Sequence, residues 1–180
     1  MGDVVLGIDL SMRGLGLCAV PTDWDRDFRR VRAITLAVPL RKDATIREQI
    51  ERLGSLSSDV RTWAGRACAT HAFVESYAYG MTTMAHTLGE LGGVIKLELS
   101  RAGLQVAASN QSSARKLLYG RTPPRGITGT QRKAWLYEPL RLCGLPLVDH
   151  DQGDAFCAAN WGLSELGAPC LAGLCQAGAA

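Results

Sequence analysis

Short apolar runs and longer periodic stretches alternate along this chain. Residues 4–9 (Val-Val-Leu-Gly-Ile-Asp) are β-branched and apolar and end on an acid, as a buried strand does. A turn over Ser11, Met12, Arg13 and Gly14 lets residues 15–20 return as an antiparallel partner. Residues 21–30 are polar, with alternating charges around Trp24 and Phe28, and read as a loop. Residues 31–38 alternate like a third strand nearer an edge. There the period changes to that of a helix. Ile46, Ile50, Leu53, Leu56, Val60, Trp63 and Ala67 share one face of a helix over 45–67. A strand over 72–76 and a helix over 84–102 follow, the helix carrying Leu88, Leu91, Val94, Ile95 and Leu99 on its apolar face. Gly89, Gly92 and Gly93 weaken that helix intrinsically, which points to close packing against another element.

Gly103 stops the second helix, and residues 104–108 form a fifth strand. Helices are then predicted over 112–119, 130–143 and 151–166, with a Pro/Gly/Arg-rich loop over 120–129. Pro139 is expected to bend or divide the middle one. From Gly167 the residues are small and weakly patterned, so the expected organisation is one domain over 1–167 and a flexible tail over 168–180. Three meandering strands followed by strands alternating with helices imply an α/β fold. Its mixed sheet has five strands, three antiparallel and two parallel, flanked by helices. That order matches the ribonuclease H-like fold.

Composition narrows the function. No apolar run reaches the roughly 18 residues that span a bilayer, and no basic segment leads into a long apolar stretch at the start. The expectation is a cytoplasmic protein with no membrane partner. Six cysteines lack C-x-x-C spacing and histidines at zinc-finger intervals, so reduced, mostly buried thiols are the expected state. The net charge of +3 is small but unevenly spread. Between Arg101 and Arg141, eight basic residues face the single acid Glu138. Sixteen of the twenty basic residues are arginine, the side chain suited to bidentate phosphate contacts.

The candidate chemistry lies in four acids. Asp9 ends the first strand, Glu75 ends the fourth, and Asp151 and Asp154 open the last helix. A carboxylate at the end of a buried strand is costly unless paired or bound to a cation. Three residues apart on a helix, Asp151 and Asp154 share a face. Hydrolysis of phosphate esters by two metal ions needs such a carboxylate cluster, and oxygen ligands suit Mg²⁺. Each acid also has a plainer reading. Asp9 could cap a turn through Ser11 or Arg13, and Glu75 could pair with an arginine. Asp151 could be a helix N-cap, with Asp154 answering the helix dipole. His150 reads as a plain loop histidine or an alternative ligand, and Asp149 as a slipped register. The glycines after Asp9 are not a dinucleotide fingerprint, since a third glycine and a following helix are missing.

Several segments resemble the RuvC family of Holliday-junction resolvases, particularly its bacteriophage-type members. They are Gly7-Ile8-Asp9-Leu10-Ser11-Met12-Arg13-Gly14-Leu15-Gly16, Phe73-Val74-Glu75-Ser76-Tyr77 and Asp151-Gln152-Gly153-Asp154-Ala155. Leu88 to Ile95 resembles the family's long helix after the glutamate, and a basic stretch runs from Arg115 through Lys133. The resemblance covers nearly the whole chain. It implies a catalytic, metal-binding tetrad of Asp9, Glu75, Asp151 and Asp154 using Mg²⁺, with Mn²⁺ substituting. It also implies Lys133 as a further catalytic group, Arg115 or Lys116 near the scissile phosphate, and Tyr77 and Arg13 as DNA contacts. The implied partner is branched DNA, above all the four-way junction; its two symmetry-related strands call for two active sites, so a twofold homodimer is expected, with the helix over 84–102 as its interface. Leu91 and Ile95 are expected to supply that interface's apolar area.

Other functions compete. A sugar-kinase or actin-like ATPase also opens on an acid in a first hairpin, but needs two domains and a second phosphate loop, which 180 residues do not house comfortably. A non-catalytic nucleic-acid binder would be favoured by loss of a carboxylate, and all four are present. An RNase of the YqgF type is the nearest rival.

Overall fold

The computed structural model describes residues 2–11, 14–37, 44–76, 84–121, 123–124 and 126–175. Arg13 and Tyr77, expected to contact DNA, lie outside the described residues. The elements follow in the order β1 (Val4–Asp9), β2 (Gly14–Pro21), β3 (Arg32–Ala37), α1 (Ile46–Ala67), β4 (His71–Glu75), α2 (Met84–Arg101), β5 (Gln105–Ser109), α3 (Gln111–Tyr119), α4 (Gly129–Leu142) and α5 (His150–Glu165). One five-stranded sheet has the order β3-β2-β1-β4-β5. The first three strands pair antiparallel, while β4 joins β1 and β5 in parallel. The expected mixed sheet is therefore the observed one, with β3 on its edge.

Side-chain alternation sorts the sheet into two faces. Leu6, Ile8, Leu15, Leu17, Ala72 and Val74 pack with Leu56, Val60, Leu91, Ile95 and Leu99 of α1 and α2. Val5, Cys18, Val20 and Phe73 pack on the other face with residues of α3, α4 and α5. Asp9 and Glu75 follow the alternation onto this second face.

There α5 lies unusually close to the sheet. A Cβ at Gly7 would stand 2.0 Å from the Ala155 carbonyl oxygen, and one at Gly16 would stand 2.1 Å from that of Asp151. Glycine inside a strand often marks such close approach of another backbone. From the helix side, a Cβ at Gly162 would meet Phe73 at 2.4 Å. The Gly7 and Gly16 contacts are main chain on main chain and fix how closely α5 approaches β1 and β2.

Several local expectations change. Thr45 caps α1 through a capping box with Glu48, but Ile46 and Ile50 are 75% and 64% exposed, so only the later part of its apolar face is buried. Pro139 does not divide α4, which runs unbroken through it into its last turn. Gly89 and Gly93 face open space rather than another element, whereas Leu91 and Ile95 are buried in this domain's own core. Those two side chains therefore cannot supply apolar area to a dimer interface.

The segment after Gly167 is not a loose tail as far as Cys175. Asn160 brackets Leu171, accepting from its amide at 2.8 Å and donating to its carbonyl at 2.9 Å. The amides of Gly173, Leu174 and Cys175 bond to the carbonyls of Leu117, Leu118 and Tyr119. Trp24, in a stretch that reads as polar loop, is fully buried against Phe156 and donates its indole N–H to the Pro169 carbonyl at 2.7 Å. None of the six cysteines is in a disulfide, and no helix among the described residues is long and apolar enough to cross a membrane.

Candidate active site

Asp9 and Glu75 end neighbouring parallel strands, one residue beyond the Ile8–Val74 pair of the register. Asp9 is 7% exposed and its carboxyl hydrogen-bonds to that of Glu75. Two carboxyl groups in contact repel each other when both are ionised. Burial raises the pKa of Asp9 well above the ordinary aspartate range, and the bond to Glu75 and the nearby charges of Asp154, Glu75 and Asp151 raise it further.

The other two acids arrive on α5. Its N-cap is Asp149, which accepts from the Gln152 amide at 2.8 Å and from the Thr35 hydroxyl of β3 at 2.6 Å. The capping function suggested for Asp151 thus belongs to Asp149. Asp151 and Asp154 lie in the first turns, their side chains 17% and 18% exposed. A Cβ at Gly14 would come within 2.9 Å of Asp151 Oδ2, so β2 borders this carboxylate. Burial raises the Asp151 pKa too, with His150 and Lys133 opposing and Asp149 and Asp154 adding to the rise.

Three basic side chains answer the acids. Arg115 on α3 places Nη2 at 2.7 Å and Nε at 3.1 Å from Oδ1 of Asp154. Burial works against the Arg115 charge, but Asp154 outweighs it and leaves the pKa raised. Lys133 on α4 places Nζ 2.6 Å from His150 Nε2, and the same Nε2 lies 3.1 Å from Asp151 Oδ1. Nε2 can accept from Lys133 or donate to Asp151, but not both at once. His150 is thus a member of the cluster rather than a plain loop histidine. Its position beside Asp151 in the sequence was the available signal.

Two polar residues that the sequence did not single out complete the rim. Gln111 donates to the Asp154 carbonyl at 3.4 Å, and Ser109 pairs across from Glu75. Gln111 Oε1 and Ser109 Oγ are buried with no hydrogen-bond partner among the described residues. The donor set, four carboxylates crowded by burial and mutual repulsion, fits a hard divalent cation. As placed, no three His, Cys, Asp or Glu side chains among the described residues converge closely enough to hold one ion. Asp154 is committed to Arg115, and Asp9 to Glu75.

No protein-family model and no curated protein matches the sequence. Among solved structures, RuvC of Thermus thermophilus is similar at a TM-score of 0.62 and 21% identity, over 92% of this chain and 97% of that one. T. thermophilus RuvC in complex with a Holliday junction substrate is similar at a TM-score of 0.65 and 21% identity, over 92% and 96% of the two chains. The yeast mitochondrial Holliday junction resolvase Ydc2 is similar at 0.53 and 12% identity, over 86% and 76%. The chain has the RuvC fold.

Within that fold, Asp9 and Glu75 end neighbouring parallel strands, and Asp151 and Asp154 stand in the first turns of α5, which packs across β1 and β2. Arg115 pairs with Asp154, and Lys133 stands at His150, beside Asp151. Lys116 does not join them. One residue further round α3, it lines an open groove with Leu117, Gly120 and Trp161. Of the two neighbours, Arg115 is the one at the acids.

Proposed function

We propose that this protein is a structure-selective DNA endonuclease that resolves Holliday junctions and related branched DNA by metal-dependent phosphodiester hydrolysis. Mg²⁺ would be its ion, with Mn²⁺ able to substitute. The observation that supports this reading is that Asp9 and Glu75, in contact at the ends of neighbouring parallel strands, lie near enough to Asp154 and Asp151 on the helix laid across them for those charges to raise the Asp9 pKa. Supporting it, the similar solved structures include resolvases, one of them with a junction substrate. A bound ion pair would supply Lewis acidity to the phosphate and to the attacking water.

The chain's own side chains hold and orient. Asp9, the most buried of the four acids, would hold the metal together with Glu75 on the strand side of the site, and Asp151 and Asp154 would hold it from α5. Lys133 brings positive charge to the phosphate from the Asp151 side, with His150 fixing its ammonium. Arg115, Lys116, Arg13 and Tyr77 contact DNA. The protein acts in the cytoplasm, where its free thiols stay reduced.

A junction offers two symmetry-related strands, so paired nicks call for two sites in a twofold homodimer. With Leu91 and Ile95 inside the core, the α2 face available for it carries Gly89, Gly93 and Leu97. Light scattering should give twice the monomer mass, reduced to one by Gly93→Leu; a monomer that still makes paired cuts would refute the dimer.

The deciding experiment is a cleavage panel in Mg²⁺ over four-way junctions, flaps, forks and RNA–DNA hybrids. Paired nicks in the four-way junction are expected. Cleavage confined to RNA would replace this reading with a YqgF-type RNase, and binding without any cleavage would leave a non-catalytic binder.

A further inference from the structure

Arg115 faces two ways. On one side it spends two of its donors on a single oxygen of Asp154. On the other it lines a groove with Ser112, Pro123, Pro124, Ile127 and Arg132. A guanidinium has five donors in a planar fork, so a second anion can be met from the groove side. Arg132 has no acidic partner among the described residues, and Ser112 offers an exposed hydroxyl. Two arginines and a hydroxyl around one groove, one of the arginines also bound to Asp154, match a phosphodiester rather than an apolar or cationic ligand.

The Arg115–Asp154 pair is largely withdrawn from water, with side chains 22% and 18% exposed. A cation that takes Asp154 as a ligand must compete with the guanidinium for its carboxylate. The displaced arginine, still largely buried, then needs another anion, because an unpaired buried charge is costly. We propose that Arg115 exchanges partners: it neutralises Asp154 while no ion is bound, and on ion loading it turns to a DNA phosphate in the groove it shares with Ser112 and Arg132. This rests on the metal-dependent reading above and adds an order to it. Ion binding and backbone binding are coupled through one side chain, so each favours the other.

Mn²⁺ titration of the metal-free full-length protein, followed by calorimetry without DNA, reads the exchange directly. Arg115→Gln should bind Mn²⁺ about tenfold more tightly than the wild type, within the usual range of coupling between sites. Arg132→Gln removes the same charge from the groove without touching Asp154 and should bind as the wild type does. Arg115→Lys keeps the charge but loses the fork, and should fall between; it also serves if the Gln variant melts too low to titrate. An Arg115→Gln affinity no tighter than that of Arg132→Gln overturns the exchange. If no form binds Mn²⁺ at millimolar concentration, the metal-dependent function itself has failed.

The phosphate half is read from the salt dependence of junction binding. Arg132→Gln should lower the slope of log K against log salt by about 0.9 both in EDTA and in Ca²⁺. Arg115→Gln should lower it only in Ca²⁺. A slope unchanged by Arg115→Gln in Ca²⁺ would remove the phosphate from the proposal.

Discussion

The two faces of the sheet are built on opposite rules. Toward α1 and α2 the strands present Leu6, Ile8, Leu15, Leu17, Ala72 and Val74, which interlock with large side chains of the helices. Toward α5 the same strands present Gly7, Gly14 and Gly16, along with the acids Asp9 and Glu75. The first face holds its helices by apolar area, and side chains there can shift a little to absorb a change in volume. On the second face side chains also pack, but at Gly7 and Gly16, beside the acids, strand backbone meets α5 backbone and nothing soft lies between to absorb a change. The acidic site sits on the face with the less adjustable contact, which suits chemistry that needs its carboxylates fixed to a fraction of an ångström.

The largest expected effect is at the centre of the second face. Asp9→Asn should reduce cleavage at least a thousandfold, or about 4 kcal/mol of transition-state stabilisation. Junction affinity should be retained, since the change removes charge that repels phosphate. A steady-state assay in Mg²⁺ showing a wild-type rate would refute the site.

Gly16→Ala and Leu6→Ala then set the two faces against each other. The added methyl at Gly16 would collide with the Asp151 carbonyl, so α5 must shift and carry both acids with it. A displacement of about 1 Å can cost roughly a hundredfold in rate, with about 1–3 kcal/mol of stability lost to overpacking. Leu6→Ala should cost about 2–5 kcal/mol by leaving a cavity, yet leave kcat nearly unchanged in the folded fraction. Equal loss of kcat in both would show that the faces do not differ in this way.

At the far end of the α5 face, Asn160→Ala should cost about 1–3 kcal/mol, because it strands a buried amide and carbonyl of Leu171. Denaturation midpoints check the loss, and cleavage by the folded fraction should not change.

The smallest effect is a pH dependence. In the folded, ion-free protein, Asp9 keeps a proton that the unfolded chain has already released, since burial and then Glu75 raise its pKa. Its contribution to stability is therefore greatest on the acid side, and falls as pH rises from the ordinary aspartate range through the raised value. Asp9→Asn should flatten that fall and raise the Tm near neutrality. Melting curves in EDTA across that range test the sign; a steeper fall in the variant would contradict it.

How much was legible differs by element. The parallel strands and their terminal acids could be read because a short apolar run closed by a charge marks a buried strand without any alternation, as residues 4–9 and 72–75 do. Asp151 and Asp154 could be paired because helical spacing is local. The apolar period of α1 also ran true, but Ile46 and Ile50 continue it past the point where burial stops. Trp24 was misread because one aromatic in a polar stretch carries no period. Residues 168–175 were misread because their partners, Asn160 and the carbonyls at the end of α3, lie in other elements.

By itself, then, the sequence determined the elements, their order, the sheet they form and the four acids at their ends, since each depends on spacing within a few residues. Only the tertiary structure decided that Asp149 rather than Asp151 caps α5, that His150 joins Lys133 beside Asp151, and that Arg115 rather than Lys116 reaches Asp154. These choices turn on which way a helix faces when it docks. That is fixed by contacts such as Gly7 on Ala155 and Gly16 on Asp151, made between residues more than a hundred positions apart. Local periodicity carries no information about partners so distant.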